Sequence, residues 1–153
     1  MLSKISVFLF LLFISVQSVS LNGQEAANRW RKMNQIRNDK FDLVLPEVMR
    51  ENKIGMWIIT NREGDYDPLY PDMGAGYTSN NGYYVFTDKG EGRIERAALG
   101  MSGYLLREGG SYDYFGSHTE LKAYVEARDP KTIGLNFSKN FGGADGLSYS
   151  ERL

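Results

Sequence analysis

Residues 82–99 read Gly82-Tyr83-Tyr84-Val85-Phe86-Thr87, then Asp88-Lys89-Gly90-Glu91-Gly92, then Arg93-Ile94-Glu95-Arg96-Ala97-Ala98-Leu99. Two runs favourable to strands flank a link that holds two glycines, and glycine takes the positive φ that hairpin links require. The stretch predicts a β-hairpin. Upstream, Met56-Trp57-Ile58-Ile59-Thr60 is short and nearly all apolar, the pattern of a central strand covered on both faces. Downstream, Lys131-Thr132-Ile133-Gly134-Leu135-Asn136-Phe137 has the same buried-strand pattern.

Helical patterns separate these strands. From Gln24 to Asn52 the chain is polar, with Trp30, Met33, Ile36, Phe41, Leu45, Val48 and Met49 at helical spacing. Pro46 lacks an N–H and crowds the preceding turn, which predicts a break near Val44-Leu45 and a second helical piece over Pro46–Asn52. Lys53-Ile54-Gly55 stops that piece. Ser117-His118-Thr119-Glu120 matches a capping box, and Leu121, Tyr124 and Val125 follow at helical spacing until Asp129-Pro130. A helix over about His118–Arg128 is expected. Asn61–Asn81 lacks any sustained period and reads as a long loop, and such loops are functional or mobile. Gly100–Gly116 reads as irregular, with a short extended piece at Met101–Leu106. The resulting order of helix, strand, hairpin, helix and strand predicts an α/β sandwich with a mixed sheet.

The chain has 153 residues, 18 Lys+Arg against 19 Asp+Glu, one His and no Cys. Without a basic excess there is no counterion-release drive toward nucleic acid. Lack of Cys excludes disulfide scaffolds, thiolate zinc sites and Cys nucleophiles, and a single His excludes multi-His metal sites. Met1-Leu2-Ser3-Lys4 followed by the apolar run Ile5–Val16 has the layout of a secretory signal peptide over residues 1–20. The run is too short for a stable membrane anchor. Ser18-Val19-Ser20 places the expected cleavage before Leu21, with Gly23 as the alternative. A cysteine-free exported chain fits a periplasmic or extracellular, bacterial location. Residues 21–147 are expected to form one domain. Ser148-Tyr149-Ser150-Glu151 then opens a second capping box with only Arg152 and Leu153 after it, so 148–153 reads as the start of a linker helix in a longer product.

Candidate chemistry is sparse. Asp65, Asp67 and Asp72 invite a calcium reading, but Leu69 and Tyr70 occupy positions where an EF-hand loop needs an oxygen ligand and Gly. A solvated acidic loop is the simpler reading. His118 sits at a helix start, where the macrodipole disfavours a protonated imidazole, which suits a structural or surface role. Gly74-Ala75-Gly76 and Gly142-Gly143-Ala144-Asp145-Gly146 lack the endings of phosphate-binding loops and read as turns. The sequon Asn136-Phe137-Ser138 lies at a strand end and is read as chance. Ten Tyr, many between Tyr66 and Tyr114, offer either a stacking surface for peptide or glycan or simply core and rim. No catalytic, cofactor-binding or metal-ligating residue is assigned.

Four stretches carry a family resemblance: Leu45-Pro46-Glu47-Val48-Met49-Arg50-Glu51-Asn52-Lys53-Ile54-Gly55-Met56-Trp57-Ile58-Ile59; the hairpin segment Val85–Arg96; Arg128-Asp129-Pro130-Lys131-Thr132-Ile133-Gly134-Leu135-Asn136; and Phe137–Leu147 with its Ala144-Asp145-Gly146-Leu147 turn. Together they resemble the N-terminal domain of creatinase/prolidase/Xaa-Pro aminopeptidase-type proteins over most of residues 40–153. The resemblance implies a three-layer α/β/α sandwich with a mixed sheet, of the ribonuclease-H-like type, ahead of a "pita-bread" catalytic domain. There, two divalent metals (Mn, Co or Zn) are held by Asp, Asp, His, Glu and Glu. Those ligand motifs have no counterpart in this chain, which on this reading stops before the catalytic domain. The implied role is non-catalytic: subunit assembly and substrate access for a secreted aminopeptidase-like metallopeptidase. Its implied partners are the C-terminal catalytic domain and further copies in a homo-oligomer, and Asn61–Asn81 would face one of them. A different class of reading is a stand-alone exported module that binds peptide or glycan through Tyr-rich loops, with Tyr70 and Tyr112 as test positions. A small Asp/Glu hydrolase is a third, resting on a carboxylate separation that sequence does not supply.

Overall fold

The computed structural model describes residues 23–74, 76–90 and 92–137. The chain divides after Gln35 into two compact units. In the first, residues 23–35 are helical, with Arg29 paired to Glu25 one turn earlier and Arg31 donating to Asn28 at 2.6 Å. Such exposed pairs contribute a few tenths of a kcal/mol, roughly 0.2–0.5 each. The expected signal peptide, the Gly142–Gly146 turn and the helix start at Ser148 lie outside the described residues. No helix among the described residues is long and apolar enough to cross a membrane.

The second unit is an α/β structure built on a five-stranded mixed sheet of order β4-β3-β2-β1-β5. Strand β1 (Met56–Arg62) pairs antiparallel with β2 (Asn81–Asp88), and β2 antiparallel with β3 (Ile94–Leu99). At the two ends, β4 (Tyr114–Gly116) runs parallel to β3, and β5 (Ile133–Leu135) runs parallel to β1. The predicted hairpin is present, with Asp88 opposite Ile94 and positive φ at Gly90 (80°) and Gly92 (88°). Asp88 closes the link by accepting the Gly90 N–H at 2.8 Å.

Strand alternation sends side chains to both faces. Ile59, Tyr84, Phe86, Ile94 and Ala98 pack with Phe41, Leu45 and Met49. Met56, Ile58, Val85, Ala97 and Leu99 pack with Tyr124 on the opposite face. Each such fully buried large side chain contributes about 1.5–3 kcal/mol by removal from water. Phe41 meets Phe86 edge-on at 5.0 Å, a favoured arrangement of ring quadrupoles.

The helices form where the sequence places their signals, with informative deviations. Residues 36–39 are helical, Lys40–Val44 is a π-helical turn, and α1 runs Leu45–Glu51 with Pro46 in its first turn. The Leu45 N–H reaches Lys40 O, five residues back. A continuous α-ladder would press the Pro46 ring against the Asp42 carbonyl four residues earlier. The widened turn relieves that clash, so the break expected at Val44-Leu45 takes this form. The predicted capping box is also present: Ser117 Oγ accepts from Thr119 N at 3.3 Å and Glu120 Oε1 from Ser117 N at 2.8 Å. Its first turn is 3₁₀ (His118–Glu120), and the α-helix proper, α4, covers Leu121–Glu126. Asp129, at φ 42°, reverses the chain before Pro130.

Several expectations are corrected. Asn61–Asn81 is not one long loop: β1 extends to Arg62, and a short helix, α2, forms at Tyr70–Met73. The extended piece expected at Met101–Leu106 is confined to a bridge of Ser102 with Tyr77, because helix α3 (Tyr104–Glu108) takes over at Tyr104, and the irregular stretch also contains β4. Lys131–Phe137 supplies an edge strand rather than a buried one, leaving Ile133 and Leu135 exposed. The apolar stripe of the first helical stretch also splits. Phe41, Leu45 and Met49 are buried, while Met33, Ile36 and Val48 are exposed.

Candidate functional site

The π-helical turn shapes a groove of about 320 Å³ between itself, α1, β1 and α2. Phe41 and Leu45 form its inner wall, Val44 and Val48 its lip, and Trp57, Leu69 and Met73 its far side. Val44 and Val48 are 52% and 45% exposed, against 4% and 9% for Phe41 and Leu45. Lys40 and Asp72 pair across the rim at 3.0 Å.

A polar chain fixes the Trp57 side of the groove. The Trp57 indole N–H donates to Asn136 Oδ1 at 3.0 Å, and Asn136 Nδ2 donates to Asp67 Oδ2 at 2.5 Å. Asp67 Oδ1 accepts the Leu69 N–H at 2.8 Å, and the Asp67 N–H donates to the buried Asn61 side chain at 3.2 Å. These contacts tie the β1–β2 connection to the end of β5. The Met56 N–H donates to Thr132 O at 3.0 Å. Alternation along a parallel ladder therefore turns the backbone polar groups of Ile133 and Leu135 away from β1. Ile133 and Leu135 are 45% and 43% exposed. An apolar strand edge of this kind is a template for further pairing.

Helix α2 is too short to stabilise itself, and it is held by capture of successive carbonyls. Arg37 Nε donates to Asp72 O at 2.8 Å, Tyr112 Oη to Met73 O at 2.6 Å, and Tyr84 Oη to Gly74 O at 3.5 Å. Tyr84 and Tyr112 stack at 5.2 Å, and burial raises both phenols above their ordinary range. Gly74 has φ 126°, and a Cβ there would lie 2.8 Å from Leu106 Cδ1.

Beside the π turn, a buried cation locks the helical segment to β3. Arg96 is 1% exposed, pairs with Asp42 of the turn, and lies 5.1 Å over the Phe41 ring. Burial lowers its pKa and Asp42 opposes that shift. Asp113 accepts the Arg96 backbone N–H at 2.9 Å and pairs with Arg93 at 2.7 Å.

A second, polar cleft of about 600 Å³ is lined by Gly55, Thr87, Lys89, Arg128, Asp129 and Lys131 among others. Its charges are committed to one another or to close neighbours. Arg128 grips Glu95 with two bonds of 2.8 and 2.9 Å, Lys89 reaches Glu95 at 3.0 Å, and Lys131 reaches Asp129 at 2.5 Å. Arg50 holds Asp88 at 2.8 Å. Hydrogen bonding from Arg128 and from Arg50 holds Glu95 and Asp88 below the usual carboxylate range. Tyr124, packed under the Arg128 guanidinium, is pushed up to about 12 by burial.

The residues singled out in the sequence do not converge. Asp65 makes a backbone bridge to Arg62, Asp72 pairs with Lys40, and Asp67 is buried in its own network. The solvated-loop reading is thus corrected at Asp67. Among the described residues, no group of three or more His, Asp or Glu is placed to hold a metal. His118 is half-buried against Gly100, where a Cβ would lie 2.7 Å from its own. Tyr84, Tyr112 and Tyr124 are buried, so Tyr112 belongs to the core and not to a ligand-facing loop. Tyr66 and Tyr70 stack on each other at 4.3 Å, half-buried. The Asn136 side-chain amide of the sequon is occupied by Trp57 and Asp67. What sequence reasoning missed is the groove. Its one signal was the excess of apolar residues in the first helical stretch, more than a single face holds. Comparisons with protein-family models, with curated proteins and with solved structures found no match to this chain.

Proposed function

We propose that this chain is the non-catalytic N-terminal domain of a secreted Xaa-Pro aminopeptidase-like metallopeptidase, contributing to subunit assembly and substrate access. On this reading its fold is a three-layer α/β/α sandwich of the creatinase N-terminal, ribonuclease-H-like type. The observation that carries the proposal is the apolar surface at one end of the sheet. There the groove at Val44, Val48 and Trp57 and the outward edge of β5 stand uncovered beside a sheet packed on both faces. Support also comes from where the resembling stretches fall: Leu45–Ile59 covers α1 and enters β1, Val85–Arg96 forms the hairpin, and Arg128–Asn136 leads into β5. The chain's own residues then act by packing. Val44, Val48 and Leu135 receive a neighbouring domain or subunit, and the Trp57–Asn136–Asp67 chain keeps that surface in one shape. The two divalent metals belong to the catalytic domain.

The test compares residues 21–153 with a protein extended through the downstream coding sequence, measuring bound divalent metal and hydrolysis of Xaa-Pro peptides. The proposal expects both properties in the extended protein only, with export to the periplasm or the exterior and an N-terminus near Leu21. Metal binding or cleavage by the short chain, or a downstream sequence without a carboxylate- and His-rich domain, overturns it.

A further inference from the structure

We draw no further inference here: the strongest candidate, the apolar groove between the π-helical turn and β1 together with the outer edge of β5, belongs to the surface already described, and nothing in the structure shows which partner covers it.

Discussion

Replacing Asp42 by Ala leaves the Arg96 guanidinium charged and enclosed. The Arg96 side chain is 2% exposed and that of Asp42 50%, so the arginine has little access to water when its partner is gone. What then stabilises it is the Phe41 ring at 5.1 Å and the nearby charge of Asp113, since Nε has no hydrogen-bond partner among the described residues. Breaking a fully buried pair costs about 3–5 kcal/mol. Because water reaches the Asp42 side, the expected cost of Asp42→Ala is about 2–3 kcal/mol, below that fully buried range. For a domain of this size that corresponds to a fall in Tm of about 10 °C. Arg96→Met removes the charge together with its need for a partner and is expected to be less damaging. In an Arg96→Met background, Asp42→Ala should cost about 0.5 kcal/mol or less, a coupling well above the non-additivity expected of independent sites. Urea unfolding of the four proteins, followed by far-ultraviolet circular dichroism, measures each value. If Asp42→Ala alone costs under about 0.5 kcal/mol, or if the two costs simply add, the lock assigned to Arg96 is refuted.

Tyr112→Phe removes a hydroxyl that satisfies the Met73 carbonyl. The expected loss is about 1–3 kcal/mol, with new protease cleavage within residues 63–80, and unchanged digestion would count against pinning of α2. Asp88 and Glu95 are held below their ordinary pKa in the folded chain. Their contribution is therefore fully present above the unfolded-state carboxylate pKa of about 4 and is lost as pH falls through the depressed folded values. Acid titration of stability in wild type and Arg128→Met should show a shallower loss in the variant; parallel curves would contradict this. Tyr124 has the opposite sign. Its raised pKa of about 12 predicts stability lost as pH rises above the unfolded tyrosine value of about 10, and Tyr124→Phe should lessen that slope. Leu135→Lys places a charge on an exposed edge position. It should change the stability of residues 21–153 by about 0.5 kcal/mol or less while weakening assembly of the extended protein, and intact assembly would remove the β5 edge from the proposed surface.

The legible parts of the fold are those whose causes are local. Gly90 and Gly92 declare the hairpin, Pro46 the helix break, and Ser117 with Glu120 the start of the helix against β2 and β3. Helices α2 and α3 and strand β4 escaped because three to five residues carry no usable period. Tyr70–Met73 is helical because Arg37, Tyr84 and Tyr112, all distant in sequence, take its terminal carbonyls. The exposure of Ile133 and Leu135 was equally hidden, since an apolar run reads alike whether or not another element covers it. For the groove, the obstacle was phase. The wide turn at Lys40–Val44 shifts the helical register, so Val44 and Val48 are exposed while Phe41, Leu45 and Met49 stay buried.

The pairing of β1 with β5 also bears on how the chain is made. Met56 finds its β2 partner at Thr87 but its β5 partner only at Ile133. Closing a loop of that length carries more entropy cost than closing the hairpin, and sequence-distant pairings slow folding. During synthesis the β1–β2–β3 meander can form while the segment that flanks β1 is still inside the ribosome, so Trp57 waits, half-covered, for Asn136. A pause in translation after β3 has left the exit tunnel and before Asn136 has done so would lengthen that interval of exposure, whereas emergence of Asn136 ends it.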